Sequence, residues 1–145
     1  MGSETTKTEC LVIYQTSKPY IKNFHTAIDI GCKDGDFTIP LSKNFKTVKA
    51  FDYRKRKNLI KRLPANTEFF EFALGDKVGK VKSYGGVILD KRGNRKKPKV
   101  PVQQKTLDSF NFSNVDYIKI DVEGHELKVL KGIKPRIYPD FQSGG

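Results

Sequence analysis

Thr26-Ala27-Ile28-Asp29-Ile30-Gly31-Cys32-Lys33-Asp34-Gly35-Asp36-Phe37 is the most informative stretch of the chain. A strand-like run with one acidic residue passes into a turn that carries Gly31 and Gly35. The turn leads into Phe37-Thr38-Ile39-Pro40-Leu41-Ser42, which reads as a helix start, with Pro40 tolerated because it falls in the first turn. Glycine serves where a backbone must turn sharply or let another group come close. A strand, a glycine turn and a helix in that order open the nucleotide site of a doubly wound α/β sheet.

The residues inside the turn narrow the choice of nucleotide. A dinucleotide fingerprint needs G-x-G-x-x-G, with its middle glycine against the pyrophosphate. Here Lys33 occupies that middle position, and Asp34 and Asp36 crowd the turn. Carboxylates repel a phosphate but suit a ligand that carries an ammonium and a sulfonium, such as S-adenosylmethionine. Asp29, at the strand end, could hold the ammonium directly or through water. The G-x-x-x-G spacing does not suffice by itself, so the neighbouring segments have to decide.

Thr47-Val48-Lys49-Ala50-Phe51-Asp52 reads as the second strand, and Asp52 closes it. An acidic residue roughly 20 positions beyond the first strand reaches the ribose of an adenosine, because adjacent parallel strands end side by side. Tyr53 to Leu63 reads as a basic helix with Leu59, Ile60 and Leu63 inward, stopped by Pro64. Thr67 to Leu74 reads as a third strand, whose tip, Ala73 and Leu74, would flank an adenine. Two further arms, Val81 to Asp90 and Lys99 to Lys105, read as a β-hairpin inserted at about residues 80 to 105. Near the start, Glu9-Cys10-Leu11-Val12-Ile13-Tyr14-Gln15 reads as an apolar strand, and Tyr20 to His25 as a short helix or connection.

Length suits a single domain over residues 1 to 145, long enough to bury about two thirds of its unfolded surface. No apolar run is of membrane-spanning length, and Met1 to Thr6 lacks the apolar core of a signal peptide. The expectation is a cytoplasmic protein without membrane contact, its Cys10 and Cys32 free thiols. The net charge of +12 is concentrated in Arg54-Lys55-Arg56-Lys57 with Lys61 and Arg62, and again in Lys91 to Lys99. Such clusters attract nucleic acid or another polyanion, or serve only as solvated faces.

Asp116-Tyr117-Ile118-Lys119-Ile120-Asp121-Val122-Glu123-Gly124-His125-Glu126-Leu127 is the second informative stretch. Strand alternation places Tyr117, Lys119, Asp121 and Glu123 on one face and Ile118, Ile120 and Val122 on the other. Charges on a buried strand must pair, and Lys119 is expected to bridge Asp121 or Glu123. Gly124 turns the chain into a helix with Leu127 and Leu130 as its stripe, ended by Gly132.

Ala27-Ile28-Asp29-Ile30-Gly31, Ala50-Phe51-Asp52, Phe72-Ala73-Leu74-Gly75-Asp76, Lys105-Thr106-Leu107-Asp108-Ser109, and above all Tyr117 to Glu126 with Leu130-Lys131-Gly132, resemble the FkbM family of S-adenosylmethionine-dependent methyltransferases. The resemblance covers residues 26 to 132. It implies an α/β, Rossmann-like methyltransferase fold, with a mainly parallel sheet and the hairpin inserted, shortened at the C-terminus. It also implies methyl transfer to oxygen on a small hydroxylated or sugar-containing acceptor. The implied cofactor set is Asp29, Gly31, Cys32, Gly35, Phe37, Asp52, Tyr53, Ala73, Leu74 and Asp121, with S-adenosylhomocysteine as product. The implied catalytic set is Asp121, His125 and Glu123. Asp121 and Glu123 could also take magnesium, since hard oxygens suit it, but two carboxylates do not establish a metal site and none is assigned.

Departures from the family pattern are Cys32-Lys33 after the first glycine and Asp52-Tyr53 at the second strand. An apolar strand such as Ile118 to Val122 needs cover, from the terminal segment, the Leu11-Val12-Ile13 strand, the hairpin or a second subunit. A homo-oligomer with that side in its contact is therefore expected. A nucleic-acid methyltransferase, and a shortened S-adenosylmethionine-binding protein that transfers no methyl, remain as alternatives.

Overall fold

The computed structural model describes residues 4–84, 87–88 and 99–134. Its elements run in the order α1 Glu4–Ser17, β1 Thr26–Ile30, α2 Thr38–Asn44, β2 Thr47–Asp52, α3 Lys57–Arg62, β3 Thr67–Glu71, β4 Ala73–Leu74, β5 Gly79–Tyr84, β6 Val87–Ile88, β7 Lys99–Lys105, β8 Val115–Ile120 and α4 Glu126–Lys131. Short 3-10 turns occupy Lys18–Tyr20 and Leu107–Phe110.

Four strands form a wholly parallel central sheet in the order β3-β2-β1-β8. Parallel strands are covered on both faces, and side-chain alternation divides β1 accordingly. Ala27 faces a cluster with Tyr14 of α1, Leu41 of α2, Phe37 and Phe45 at the two ends of α2, and Val48 of β2. Ile28 and Ile30 face the opposite cluster with Phe51, Leu74, Leu107 and Val129, backed by an aromatic stack in which the Phe51 and Phe70 rings lie 4.8 Å apart. The register aligns Ile30 with both Phe51 and Ile120. The C-terminal tips of β1, β2 and β8 therefore finish level, and the crevice above such tips is where α/β sheets bind ligands.

The inserted hairpin forms between β5 and β7, with antiparallel register from Gly79 opposite Gln104 to Tyr84 opposite Lys99, but its first arm is not continuous from Val81 to Asp90: Val87–Ile88 fold back to pair antiparallel with Tyr84 and Ser83 of β5. It builds a second sheet, β4-β7-β5-β6, instead of extending the first. The basic cluster at Lys91 to Lys99 lies outside the described residues, except for the backbone of Lys99.

Four further expectations are corrected. Residues 9–15 are not a strand but part of α1: Cys10, Tyr14 and Ser17, spaced at helical intervals, turn to the body of the protein while Leu11, Val12 and Ile13 stay exposed. A short apolar run does not distinguish the two periods. The basic helix begins only at Lys57, because the Asp52 carboxylate accepts the backbone N–H of Arg54 at 2.9 Å and holds Tyr53 and Arg54 in an Asx turn. The third strand breaks at Phe72, and Ala73–Leu74 leave the central sheet to pair with Gln104 and Lys105 of β7.

Lys119 bridges neither Asp121 nor Glu123. It reaches across to β1, with Nζ 3.0 Å from Asp29 Oδ1, and donates to the Gly31 carbonyl at 2.9 Å. Among the described residues β8 pairs only with β1, and Ile118 is partly exposed at that edge.

Candidate active site

Gly31 ends β1 with φ +81°, and its own N–H donates to the Phe51 carbonyl at 2.9 Å. A Cβ at this position would run into the Asp121 carbonyl, so glycine here lets β8 close against the turn. Gly35, at φ +89°, closes the turn by donating to the Cys32 carbonyl at 2.8 Å, and a Cβ there would meet the Leu59 side chain. Asp29 lies wholly buried beneath the turn. It accepts the Thr38 hydroxyl at 2.6 Å and sits beside the Lys119 ammonium, close enough for charge pairing but off the hydrogen-bond axis at Oδ1.

Asp52, at the tip of β2, gathers the next part of the site. One carboxylate oxygen accepts Arg54 N–H; the other accepts Lys33 N–H at 3.1 Å and stands 3.1 Å from Arg56 Nε. Two N–H groups bond to it and Arg56 Nε pairs with it by charge, off the hydrogen-bond axis, so with about four acceptor positions on a carboxylate Asp52 retains room for further donors. The Tyr53 hydroxyl beside it is buried and, among the described residues, without a hydrogen-bond partner. Arg54 folds its guanidinium over the Tyr53 ring, 5.5 Å from the centroid.

At the tip of β8, Asp121 and Glu123 are exposed, and Lys33 reaches over to both, its Nζ 3.4 Å from Asp121 and 3.9 Å from Glu123. His125 is buried at the entry of α4, with Nε2 3.0 Å from Gln104 Oε1. The Gln104 amide nitrogen donates to the Lys77 carbonyl at 2.9 Å. Its oxygen is therefore the acceptor, and His125 Nε2 carries the proton in this contact.

These three groups line one cleft of about 280 Å³, near the lower end of the range for small-molecule sites. Its walls bring together Gly31, Asp52, Tyr53, Ala73, Leu74, Asp121, Glu123 and His125. Cys32, Gly35, Phe37 and Asp29 do not line it. Phe37 is packed in the core under the Lys119 ammonium, Cys32 is packed with Ala50 and Leu59, and the other two shape the turn from below.

Sequence reading passed over Arg54, Arg56 and Phe72 as cleft residues, and took Lys33 only as a departure from pattern. The Asp52 to Arg56 spacing was visible as a charge pair. Its meaning depends on the Asx turn that brings the arginine back over the strand tip.

Burial pushes the Cys32 thiol far above its ordinary range, and the nearby Asp29 and Asp52 charges add to the rise. The native state thus keeps the thiol neutral where the unfolded chain would ionise it. The stability this contributes is intact below pH 9.0, the ordinary thiol value, and is lost as pH rises above it. Unfolding free energies from denaturant titrations at pH 8 to 10.5 should fall in the native chain more steeply than in Cys32→Ala, by up to about 1.4 kcal/mol per pH unit. Parallel slopes for the two proteins would contradict this account.

Carboxylates at the tips of two parallel strands and an apolar ledge, all lining one cleft, are the arrangement in which an α/β sheet binds a nucleoside. The chain belongs to the FkbM methyltransferase domain family, whose model matches residues 19–139. It is a methyltransferase, and S-adenosylmethionine is its cofactor. No curated protein matches the chain. A solved structure from Listeria monocytogenes, assigned as an S-adenosylmethionine-dependent methyltransferase, is similar at 13% identity and TM-score 0.36, with 90% of each chain covered.

The cleft suits that cofactor by its donor set. Ala73 and Leu74 offer an apolar ledge, Asp52 and the Tyr53 hydroxyl offer polar contacts, and Asp121 and Glu123 offer negative charge. Among the described residues no helix is long and apolar enough to cross a membrane.

Proposed function

We propose that the cleft holds the adenine of S-adenosylmethionine at Ala73 and Leu74, its ribose at Asp52, and its charged end toward Asp121 and Glu123. The acceptor in this reading is a small hydroxylated or sugar-containing molecule, methylated on oxygen. One observation carries it: ledge, ribose carboxylate and acidic pair open into the same cleft.

When bound, the sulfonium supplies an activated methyl group. The protein's own task is to align an acceptor oxygen with it and to take up the hydroxyl proton. Asp121 is the proposed base, with Glu123 beside it. His125, its Nε2 proton committed to Gln104, positions the entry of α4.

Calorimetry with S-adenosylmethionine, S-adenosylhomocysteine and NAD tests the cofactor placement. One-to-one binding of the first two and none of the third is expected, and tight NAD binding would overturn it. A second reading has a specific observation behind it. Arg54 and Arg56 line the cleft, and Lys55, Lys57, Lys61 and Arg62 stand exposed beside it, so the acceptor could be a nucleic acid. Transfer of labelled methyl to RNA, weakening steeply with salt, would favour that reading; transfer to sugars would favour the first.

A further inference from the structure

Three carboxylates line the cleft, and they are not equally available to a ligand. Asp52 is engaged by two backbone N–H groups and Arg56. Among the described residues Asp121 and Glu123 share a single cation, Lys33, at 3.4 and 3.9 Å. Other ion pairs of the fold, Lys49 with Glu68, Lys119 with Asp29 and Arg56 with Asp52, close to 2.9, 3.0 and 3.1 Å. The Lys33 contact is the loosest of these, with its side chain 49% exposed. The Lys33 backbone, by contrast, is held at φ +49° by its bond to Asp52. A fixed base and a loosely held tip describe an ammonium that a competing cation can displace.

We propose that Lys33 is a specificity-determining residue of the cleft, an internal cation that competes with a ligand's own positive charges for Asp121 and Glu123. The inference rests on the reading that this end of the cleft faces the charged end of the cofactor. Lys33 halves the net negative charge of the pair, from two to one. It therefore narrows the preference for the sulfonium of S-adenosylmethionine over the uncharged sulfur of S-adenosylhomocysteine. Exposed ion pairs are individually weak, so the shift is modest and salt-sensitive.

The test is calorimetry on the native protein, Lys33→Met and Lys33→Arg with three ligands: S-adenosylmethionine, S-adenosylhomocysteine and 5′-methylthioadenosine, which carries neither charged group. Lys33→Met should bind S-adenosylmethionine about fivefold tighter and S-adenosylhomocysteine with a smaller gain. Methylthioadenosine should be unchanged and Lys33→Arg should resemble the native protein. The gain should vanish in 1 M salt, where screening reaches about 3 Å.

If Lys33→Met weakens both amino-acid-bearing ligands and spares methylthioadenosine, Lys33 holds the methionine carboxylate and the proposal fails. An unchanged ratio between the first two ligands overturns it as well. Absence of binding by all three to the native protein would instead overturn the cofactor placement itself.

Discussion

Lys119→Met should lower stability by about 3 to 5 kcal/mol, the usual result of leaving one partner of a buried ion pair alone. At this chain length that is a fall of roughly 10 to 20 °C in Tm. Asp29 is completely buried, and with Lys119 gone its carboxylate keeps the Thr38 hydroxyl as a hydrogen-bond donor but loses the cation paired with it. The same ammonium holds the Gly31 carbonyl and lies over the Phe37 ring, so its loss also frees the glycine turn from β8.

Asp29→Asn in the same chain should recover most of the loss. An amide can still accept from Thr38, and replacing both members of a buried pair by neutral groups is often close to neutral. Thermal unfolding of the native, single and double variants gives the coupling directly. A single variant as stable as the native chain would show that the pair contributes nothing across the β1 to β8 seam.

Asp52→Ala should weaken binding of both S-adenosylmethionine and S-adenosylhomocysteine by more than about 100-fold. Two causes act together. The charged acceptor proposed for the ribose is removed, worth roughly 1.5 to 3 kcal/mol per hydrogen bond. The N–H groups of Lys33 and Arg54 also lose the carboxylate that fixes them, so both walls of the cleft loosen. Asp52→Asn keeps an acceptor without the charge and should fall between.

Asp121→Ala should retain binding within about tenfold while methyl transfer is lost, since exposed carboxylates contribute little to affinity. Calorimetry paired with a labelled methyl-transfer assay separates the two. If Asp121→Ala abolished binding while Asp52→Ala did not, the ribose and reaction ends of the cleft would have to be exchanged.

Much of the scaffold could be read from local pattern. The glycines of the first turn carry positive φ, the strand after it ends on an acidic residue, and the second hairpin arm, Lys99 to Lys105, forms β7 and pairs with β5. These features depend on short-range chemistry: backbone conformation at glycine, strand alternation, and the length of a βαβ unit. The misreadings share a different cause. Cys10 to Tyr14 suits either period, and it is packing of Tyr14 against Tyr117, with ring centroids 5.9 Å apart, that goes with the helix. The run from Thr67 to Leu74 carries no turn residue in sequence, yet it leaves the central sheet at Phe72, because β7 offers Ala73 and Leu74 a second partner.

By itself, the order of strands, turns and acidic tips determined that this chain builds a parallel α/β sheet with a nucleoside crevice, since each of those signals spans only a few residues. Only the tertiary structure decided which charge meets which. Lys119 went to Asp29 and Lys33 to Asp121 and Glu123, the reverse of what proximity along β8 suggested. The reason is geometric: parallel register brings Lys119 beside Asp29, whereas Asp121 lies past the last paired residue, where the turn delivers Lys33.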